Sequence, residues 1–166
     1  MYVTVTEVTF NPGDKVVYST CGVAEVSGIE HHEVGGTRQS FYVLRVVEND
    51  ARVMIPLARA EKVGLRPVVN AEEVQQLYKV LSSGAEASEE KWHWRYQDHG
   101  ARLSSGTIFE VAGVLRDLYA LKVGKALSMT ERKMLSKAQG RVITELAVAT
   151  DRDVVDVEAD FRRIFN

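Results

Sequence analysis

The hydrophobic pattern changes its period once along the 166 residues, and this change constrains the fold more than any single motif. Up to about residue 66, β-branched and aromatic runs alternate with turn signals such as Asn11-Pro12-Gly13-Asp14 and Gly35-Gly36. None of the gaps has room for a crossover helix, so neighbouring strands must run antiparallel. About four or five short strands of this kind predict a small, strongly bent sheet or barrel.

From residue 70 onward the apolar residues recur at helical spacing. Three predicted helix starts have a capping residue with a glutamate three positions later: Asn70 and Glu73, Thr107 and Glu110, Ser128 and Glu131. A further helix is predicted from near Ser88, and a last short one from about Asp153 to Ile164. The sequence therefore predicts an α+β chain, with a small antiparallel β domain over residues 1–68 and an all-α domain of about five helices over residues 69–166.

The composition favours a soluble protein in a reducing, cytoplasmic setting. The chain has no run of about 18 apolar residues that could cross a membrane, and its first residues lack the basic start and apolar core of a signal peptide. Its one cysteine, Cys21, excludes a disulfide framework and a cysteine metal cluster. We therefore expect no cofactor, no metal and no membrane partner.

The net charge of −2 conceals a basic band in the second half of the chain. Residues 91–141 contain ten Lys and Arg against four Asp and Glu, whereas residues 70–90 contain one against five and residues 142–166 contain three against six. A basic band between acidic flanks predicts that one face meets an anion. The alternative is a set of ordinary helices with mixed charges.

The sequence does not favour catalysis. The best candidates are Cys21, His31 and His32, but nothing pairs the thiol with a helix N-terminus or an orienting carboxylate. Adjacent histidines in a strand point to opposite faces and cannot share a metal ion. Gly35-Gly36 has no partner lysine and predicts a hairpin turn. We therefore do not expect an enzyme, and we interpret Cys21 as a semi-buried structural thiol.

A short segment beginning at Arg52 has the features of an edge strand. By alternation, Val53 and Ile55 face one side, while Arg52, Met54 and Pro56 face the other. An outward Met beside Arg, ended by Pro, is typical of an edge with which another chain pairs. It is equally typical of an ordinary edge strand that Pro and Arg protect from pairing.

Both tryptophans lie in one short segment beside cations: Lys91, Trp92, Trp94, Arg95 and Tyr96. On a helix, Lys91, Arg95 and Arg102 share one stripe. Trp92 and Tyr96 share a second stripe, and Trp94 points elsewhere. Because a helix buries one face, at least one tryptophan is expected to be exposed, as a wedge or stacking platform beside phosphate-binding cations. The alternative is that Trp92 and Tyr96 face the helical core and Trp94 covers a crevice.

Several segments match one family pattern: Phe10-Asn11-Pro12-Gly13-Asp14-Lys15-Val16-Val17-Tyr18, Gln39-Ser40-Phe41-Tyr42-Val43-Leu44-Arg45, Met54-Ile55-Pro56, Val63-Gly64-Leu65-Arg66, Trp92-x-x-Arg95-Tyr96, Val114-Leu115-Arg116-Asp117-Leu118 and Glu131-Arg132-Lys133-Met134-Leu135. By these segments the chain resembles the CarD/CdnL family of bacterial transcription factors, and most of all the stand-alone CdnL type. The resemblance implies a Tudor-like β barrel that docks on the β subunit of RNA polymerase. The matching docking positions are Leu44, Met54 and Pro56, and Arg52 lies beside them.

The resemblance also implies that the helical domain contacts promoter DNA at the upstream edge of the bubble. Trp92 has the position of a tryptophan that enters the minor groove, and Arg95 follows in the matching place. Trp94 and Gln97 stand where relatives commonly have basic residues, which puts two phosphate contacts in doubt. The candidate DNA contacts are therefore Lys91, Trp92, Trp94, Arg95, Tyr96, Arg102, Lys125, Arg132 and Lys133.

The expected function is that of a monomeric, non-enzymatic activator that docks on polymerase and stabilises the open promoter complex. Little sequence specificity is expected, because minor-groove and phosphate contacts read the shape of DNA. The alternative is an adaptor that binds polymerase or another protein, and whose helical domain contacts a protein instead of DNA.

Overall fold

The computed structural model describes residues 10–18, 20–84 and 107–165. The chain forms two compact units that divide between Val68 and Val69. Within the described residues, the first unit contains the β-strands and the second contains the α-helices. Each unit has its own hydrophobic core. The predicted α+β class is therefore confirmed.

In the described part of the first unit, five strands form one antiparallel sheet. They are β1 (Lys15–Tyr18), β2 (Gly22–Val34), β3 (Thr37–Val46), β4 (Arg52–Pro56) and β5 (Arg66–Pro67), and a short 3-10 helix (Leu57–Arg59) follows β4. Their order across the sheet is β4-β3-β2-β1-β5, and every neighbouring pair runs antiparallel. The antiparallel arrangement follows from the short connections, which have no room for a crossover helix.

The hairpin of β2 and β3 is longer than the sequence pattern indicates. The apolar run of β2 ends at Val26, but a bulge between Val26 and Gly28 shifts the register, and pairing with β3 continues to Val34. The turn is the predicted one, since Gly35 and Gly36 have φ values of 59° and 79°. Positive φ at both central residues is what a type I′ turn requires, and glycine adopts it without steric cost.

The core of the β unit lies on one side of the sheet. Tyr42 and Leu44 of β3 are at its centre, with 2% and 0% exposure. The Phe10 ring meets the Tyr42 ring edge to face at 5.7 Å, and the Phe10 N–H donates to the Tyr42 hydroxyl at 3.4 Å. The buried residues of this core are Phe10, Val16, Ala24, Val26, Tyr42, Leu44, Ile55, Ala60 and Leu65.

Four α-helices form the described part of the second unit: α1 (Ala71–Ser82), α2 (Ile108–Gly124), α3 (Met129–Thr150) and α4 (Val154–Phe165). The predicted caps are present, as reciprocal capping boxes of Asn70 with Glu73 and Ser128 with Glu131, and as a Thr107 side chain that accepts the Glu110 N–H. The helix predicted from near Ser88 lies outside the described residues. None of the described helices is long and apolar enough to cross a membrane.

Helix α2 is the centre of the helical unit. It is buried on nearly every side between Ile108 and Leu121, because α1 and α3 both pack against it. The α3 residue Glu145 is 1% exposed, and its carboxylate accepts the Val69 N–H at 3.0 Å. This hydrogen bond joins the start of the unit to α3. It also supplies a donor to the carboxylate, which a buried charged group requires.

A polar network ties α4 to α1. The Asp160 carboxylate accepts hydrogen bonds from the Tyr78 hydroxyl at 2.8 Å and from Arg152 Nη1 at 2.7 Å, and Arg163 pairs with its other oxygen. The hydrogen bond from Arg152 is the largest cause that lowers the pKa of Asp160, to about 2. Burial and the Asp160 carboxylate raise the pKa of Tyr78. Asp160 therefore stabilises the unit in its ionised form.

We expect Asp160→Asn to lower the free energy of unfolding by about 1 kcal/mol near neutral pH, allowing for solvent screening of this surface network. The folded-state pKa of about 2 lies below the ordinary value of 3.8, so the contribution is present above that ordinary value and disappears as the pH falls toward 2. Urea unfolding between about pH 7 and pH 3 measures it. A difference between variant and wild type that does not shrink in acid would contradict an ionic origin.

Candidate interaction surfaces

Strand β4 lies at one end of the sheet. Among the described strands it pairs with β3 alone, from Arg45 opposite Arg52 to Phe41 opposite Pro56. One row of its backbone N–H and C=O groups therefore faces no strand of the described chain. The predicted edge strand is thus present, and an edge of this kind can pair with a strand of another protein.

The side chains of β4 alternate as the sequence predicts. Ile55 is 3% exposed and Val53 is half-buried, and both contact the β core. On the other side of the strand, Met54 is 37% exposed and Arg52 is exposed, while Pro56 is half-buried. One face of β4 is therefore fixed by the core, and the other presents Met54 to solvent.

The strand register continues this side of the sheet from β4 into β3, where Phe41 is half-buried and Val43 is 7% exposed. Val43 pairs with Met54 and Phe41 pairs with Pro56, and directly opposite side chains lie on the same side of a sheet. We call these four residues the Met54 patch. Met54 is the exposed member of the patch, and a methionine side chain can adapt its shape to a partner.

Ion pairs border the Met54 patch. Arg52 pairs with Glu30 of β2, and the hydrogen bond from Arg52 lowers the pKa of the Glu30 carboxyl. His32 Nε2 lies 3.5 Å from the same carboxylate, and its ring meets the Phe41 ring edge to face at 5.8 Å. A partner that approaches the patch therefore meets a guanidinium that is already paired, so the charge of Arg52 contributes little attraction.

Leu44 has a different environment from the other predicted docking residues. Its side chain is 0% exposed in the β core, on the opposite side of β3 from Val43. The side chain is turned away from the outer side of the sheet, because neighbouring residues of a strand point to opposite faces. The prediction that Leu44 binds polymerase is not tested by its burial and stays a prediction. Leu44 pairs with Val53 and supports β4 from behind.

Six of the predicted DNA contacts lie outside the described residues and stay predictions: Lys91, Trp92, Trp94, Arg95, Tyr96 and Arg102. The other three are in the helical unit. Lys125 is half-buried at the end of α2, and its N–H donates to the Leu121 carbonyl at 3.2 Å. Arg132 and Lys133 are exposed near the start of α3. Since consecutive helical residues point about 100° apart, these two cations face different directions.

The residues considered for catalysis do not form a site. His31 Nδ1 lies 2.6 Å from Ser40 Oγ, while His32, the next residue of β2, faces the other side of the sheet. Cys21 is half-buried in the turn before β2. Within the described ranges, no three His, Cys, Asp or Glu side chains form a group that could hold a metal ion.

The part of the surface that β2 and β3 contribute does not follow from the alternation within β4. Phe41, Val43 and Glu30 reach the neighbourhood of Met54 through strand register, which the alternation within one strand does not specify. The only available signal was the alternation of Phe41 and Val43 around Tyr42, which places both on the side opposite the core.

We expect Leu44→Ala to lower the free energy of unfolding by about 2–5 kcal/mol, because it removes a fully buried leucine side chain. Met54→Ala should lower it by about 1 kcal/mol or less, because that side chain is partly in water already. Urea unfolding of the two variants beside the wild type measures both. Equal losses would contradict the assignment of Leu44 to the core and Met54 to the surface.

Two family models match the chain. The model described as CarD-like/TRCF RID domain matches residues 10–69, and the model described as CarD, C-terminal domain matches residues 76–161. A curated protein of Bacillus subtilis (strain 168), the putative transcription factor YdeB, is 32% identical over 139 residues, which are 84% of this chain and 91% of that protein.

Two solved structures from Myxococcus xanthus also match part of the chain. The first, CdnLNt, is 56% identical and covers 38% of this chain and 89% of its own, with a TM-score of 0.33. The second is the 72-residue N-terminal domain of CarD, solved in solution by NMR. It is 32% identical and covers 40% of this chain and 92% of its own, with a TM-score of 0.30.

Proposed function

The chain belongs to the CarD/CdnL family of transcription factors, which confirms the resemblance in its sequence, and from this we propose that it docks on the β subunit of RNA polymerase and stabilises the open promoter complex. In this proposal the β unit contacts polymerase and the helical unit contacts DNA. One observation supports this proposal more strongly than the others do. The unpaired edge of β4, with the Met54 patch beside it, lies within the residues that the CarD-like/TRCF RID domain model matches.

Docking by addition of a strand fits the geometry of β4. A partner strand would gain about two or three backbone hydrogen bonds, because alternate residues of an edge strand direct their polar groups outward. Each such bond contributes about 0.5–1.5 kcal/mol net. Met54 adds apolar contact area, and Arg52 is neutralised by Glu30. We therefore expect docking to depend only weakly on salt concentration.

The basic band over residues 91–141 supports contact between the helical unit and DNA. Trp92 is the proposed wedge. Stacking of a base on an aromatic ring contributes about 1–3 kcal/mol, whereas unstacking a duplex step costs a few kcal/mol. For a tryptophan alone, the stacking free energy would roughly equal the cost of unstacking. It would therefore act best on DNA that polymerase has already opened. The protein then shifts the promoter equilibrium by its difference in affinity for open and closed DNA.

We expect Met54→Glu to weaken binding of the full chain to the polymerase β subunit by about tenfold or more, because a carboxylate would be desolvated at the apolar contact. Val47→Glu is the matched control, since Val47 is also 37% exposed but follows β3 rather than lying on β4. Titration of each variant with polymerase measures the affinity. Wild-type affinity of Met54→Glu would reject docking at β4.

We expect the protein to lengthen the lifetime of the open complex on a ribosomal-type promoter, and Trp92→Ala to shorten that lifetime by about fivefold or more while polymerase binding persists. Trp94→Ala is the matched control and identifies which tryptophan is the wedge. The readout is decay of open complexes after a competitor challenge, with the matching polymerase. If bound wild-type protein leaves the lifetime unchanged, the DNA contact is rejected and the protein-binding adaptor remains.

A further inference from the structure

Val43 of β3 is almost completely buried although it lies on the side of the sheet opposite the β core. It is 7% exposed, and among the described residues it is not part of that core. Its direct cross-strand neighbours are Gly28, which has no side chain, and Met54, which is 37% exposed. Met54 covers Val43 from one side only, so a further side chain must cover the rest of it.

The ion pair between Arg52 and Glu30 is in the right place to be this cover. On β4, Arg52 pairs with Arg45, which comes two residues after Val43 on β3. On β2, Glu30 pairs with Phe41, which comes two residues before Val43. All of these side chains lie on the same side of the sheet. A line from Arg52 to Glu30 therefore crosses β3 at Val43.

Repulsion between two arginines explains why Arg52 takes this direction. Arg45 and Arg52 stand directly opposite each other, where like charges destabilise a strand pair. Arg45 turns toward Glu25 and Asp50, and Arg52 turns the other way, toward Glu30. An arginine that crosses an apolar side chain covers it with its methylene stem while its guanidinium stays in water.

This cover is held weakly. The side chains of Arg52 and Glu30 are 61% and 40% exposed, and an exposed ion pair contributes little to stability and is screened by salt. The side chains of the β core are held by apolar burial instead. We call the pair of Arg52 and Glu30 the Arg52 strap. It is the part of this surface that a partner can move without disturbing the fold.

We propose that the β subunit of RNA polymerase displaces the Arg52 strap when it docks, so that Val43 joins Met54 in the contact. This inference rests on the proposed function, in which Met54 is a docking residue. A partner that packs on Met54 meets the stem of Arg52 beside it. Once the stem has moved, the partner covers Val43 in its place. In the free chain the strap keeps the exposed apolar surface small, which limits unspecific association.

The first measurement tests the cover in the free, full-length chain. Glu30→Ala removes the carboxylate that holds Arg52, and Glu61→Ala is the matched control, because it removes the same charge from another exposed position of the β unit. Relaxation of the Val43 methyl signals by a soluble nitroxide measures their exposure to solvent. We expect this relaxation to increase about twofold or more in Glu30→Ala, and to stay unchanged in Glu61→Ala.

The second measurement is titration of the same full-length proteins with matching polymerase. We expect Glu30→Ala to bind about threefold more tightly than the wild type, because no strap has to be displaced, and Glu61→Ala to match the wild type. The advantage should shrink at high salt, which weakens the strap of the wild type. Urea unfolding of each variant checks that the β unit remains folded.

Val43→Ala, made in the wild type and in Glu30→Ala, connects the two measurements. In the wild type it removes contacts from the free chain and from the complex alike, so we expect binding to weaken by only about twofold. In Glu30→Ala the free chain has no strap contact to lose, so we expect about fivefold. An Arg52 that was merely freed to attract an acidic surface would give equal costs in both backgrounds.

Val43 methyl groups that stay protected in Glu30→Ala overturn the strap. Binding of Glu30→Ala that equals or falls below that of the wild type overturns the displacement and leaves the proposed function intact, and so do equal costs of Val43→Ala in the two backgrounds. A wild-type chain that does not bind polymerase removes the proposed function and the displacement together. The nitroxide measurement, which uses the free chain, then still decides whether the strap covers Val43.

Discussion

Successive side chains of a strand point to opposite sides of a sheet, and along β3 this rule determines both the core and the candidate docking surface. Tyr42 and Leu44 fill the core on one side, while Phe41 and Val43 lie on the other. Because β4 pairs in register with β3, its own alternation brings Met54 to the same outer side. Stability and docking therefore share one strand but use different residues, and substitutions can separate them.

The two units offer weak contacts of different kinds, and the proposed function depends on their combination. The outer side of β4 presents Met54 beside an Arg52 that Glu30 neutralises, whereas the proposed DNA contact of the helical unit rests on the basic band over residues 91–141. In the proposed function, docking on polymerase would hold the helical unit near the promoter at a high effective concentration, so its DNA contacts would need little affinity of their own. Selectivity for open over closed DNA, and not overall affinity, sets the size of the effect.

Local patterns in the sequence were enough to predict most of the described elements of this fold, although not the full length of the β2–β3 hairpin. Gly35 and Gly36 specify the hairpin turn because both need positive φ, and Ser128 with Glu131 specifies the start of α3 because the pair satisfies free N–H groups of the first turn. Each signal depends only on residues within a few positions of one another, so it is independent of how the other elements are arranged. The alternation at Met54 was predictable for the same reason.

The sequence by itself determined most of the described strands and helices, which side chains of β4 face the core and the position of the basic band over residues 91–141. Only the tertiary structure decided which residues became neighbours: it buried Leu44 and brought Phe41 beside Pro56 and Glu30 beside Arg52. The physical reason is that register and side-by-side packing join segments distant in sequence. Their energies depend on pairs of residues, and no pattern within one segment contains that information.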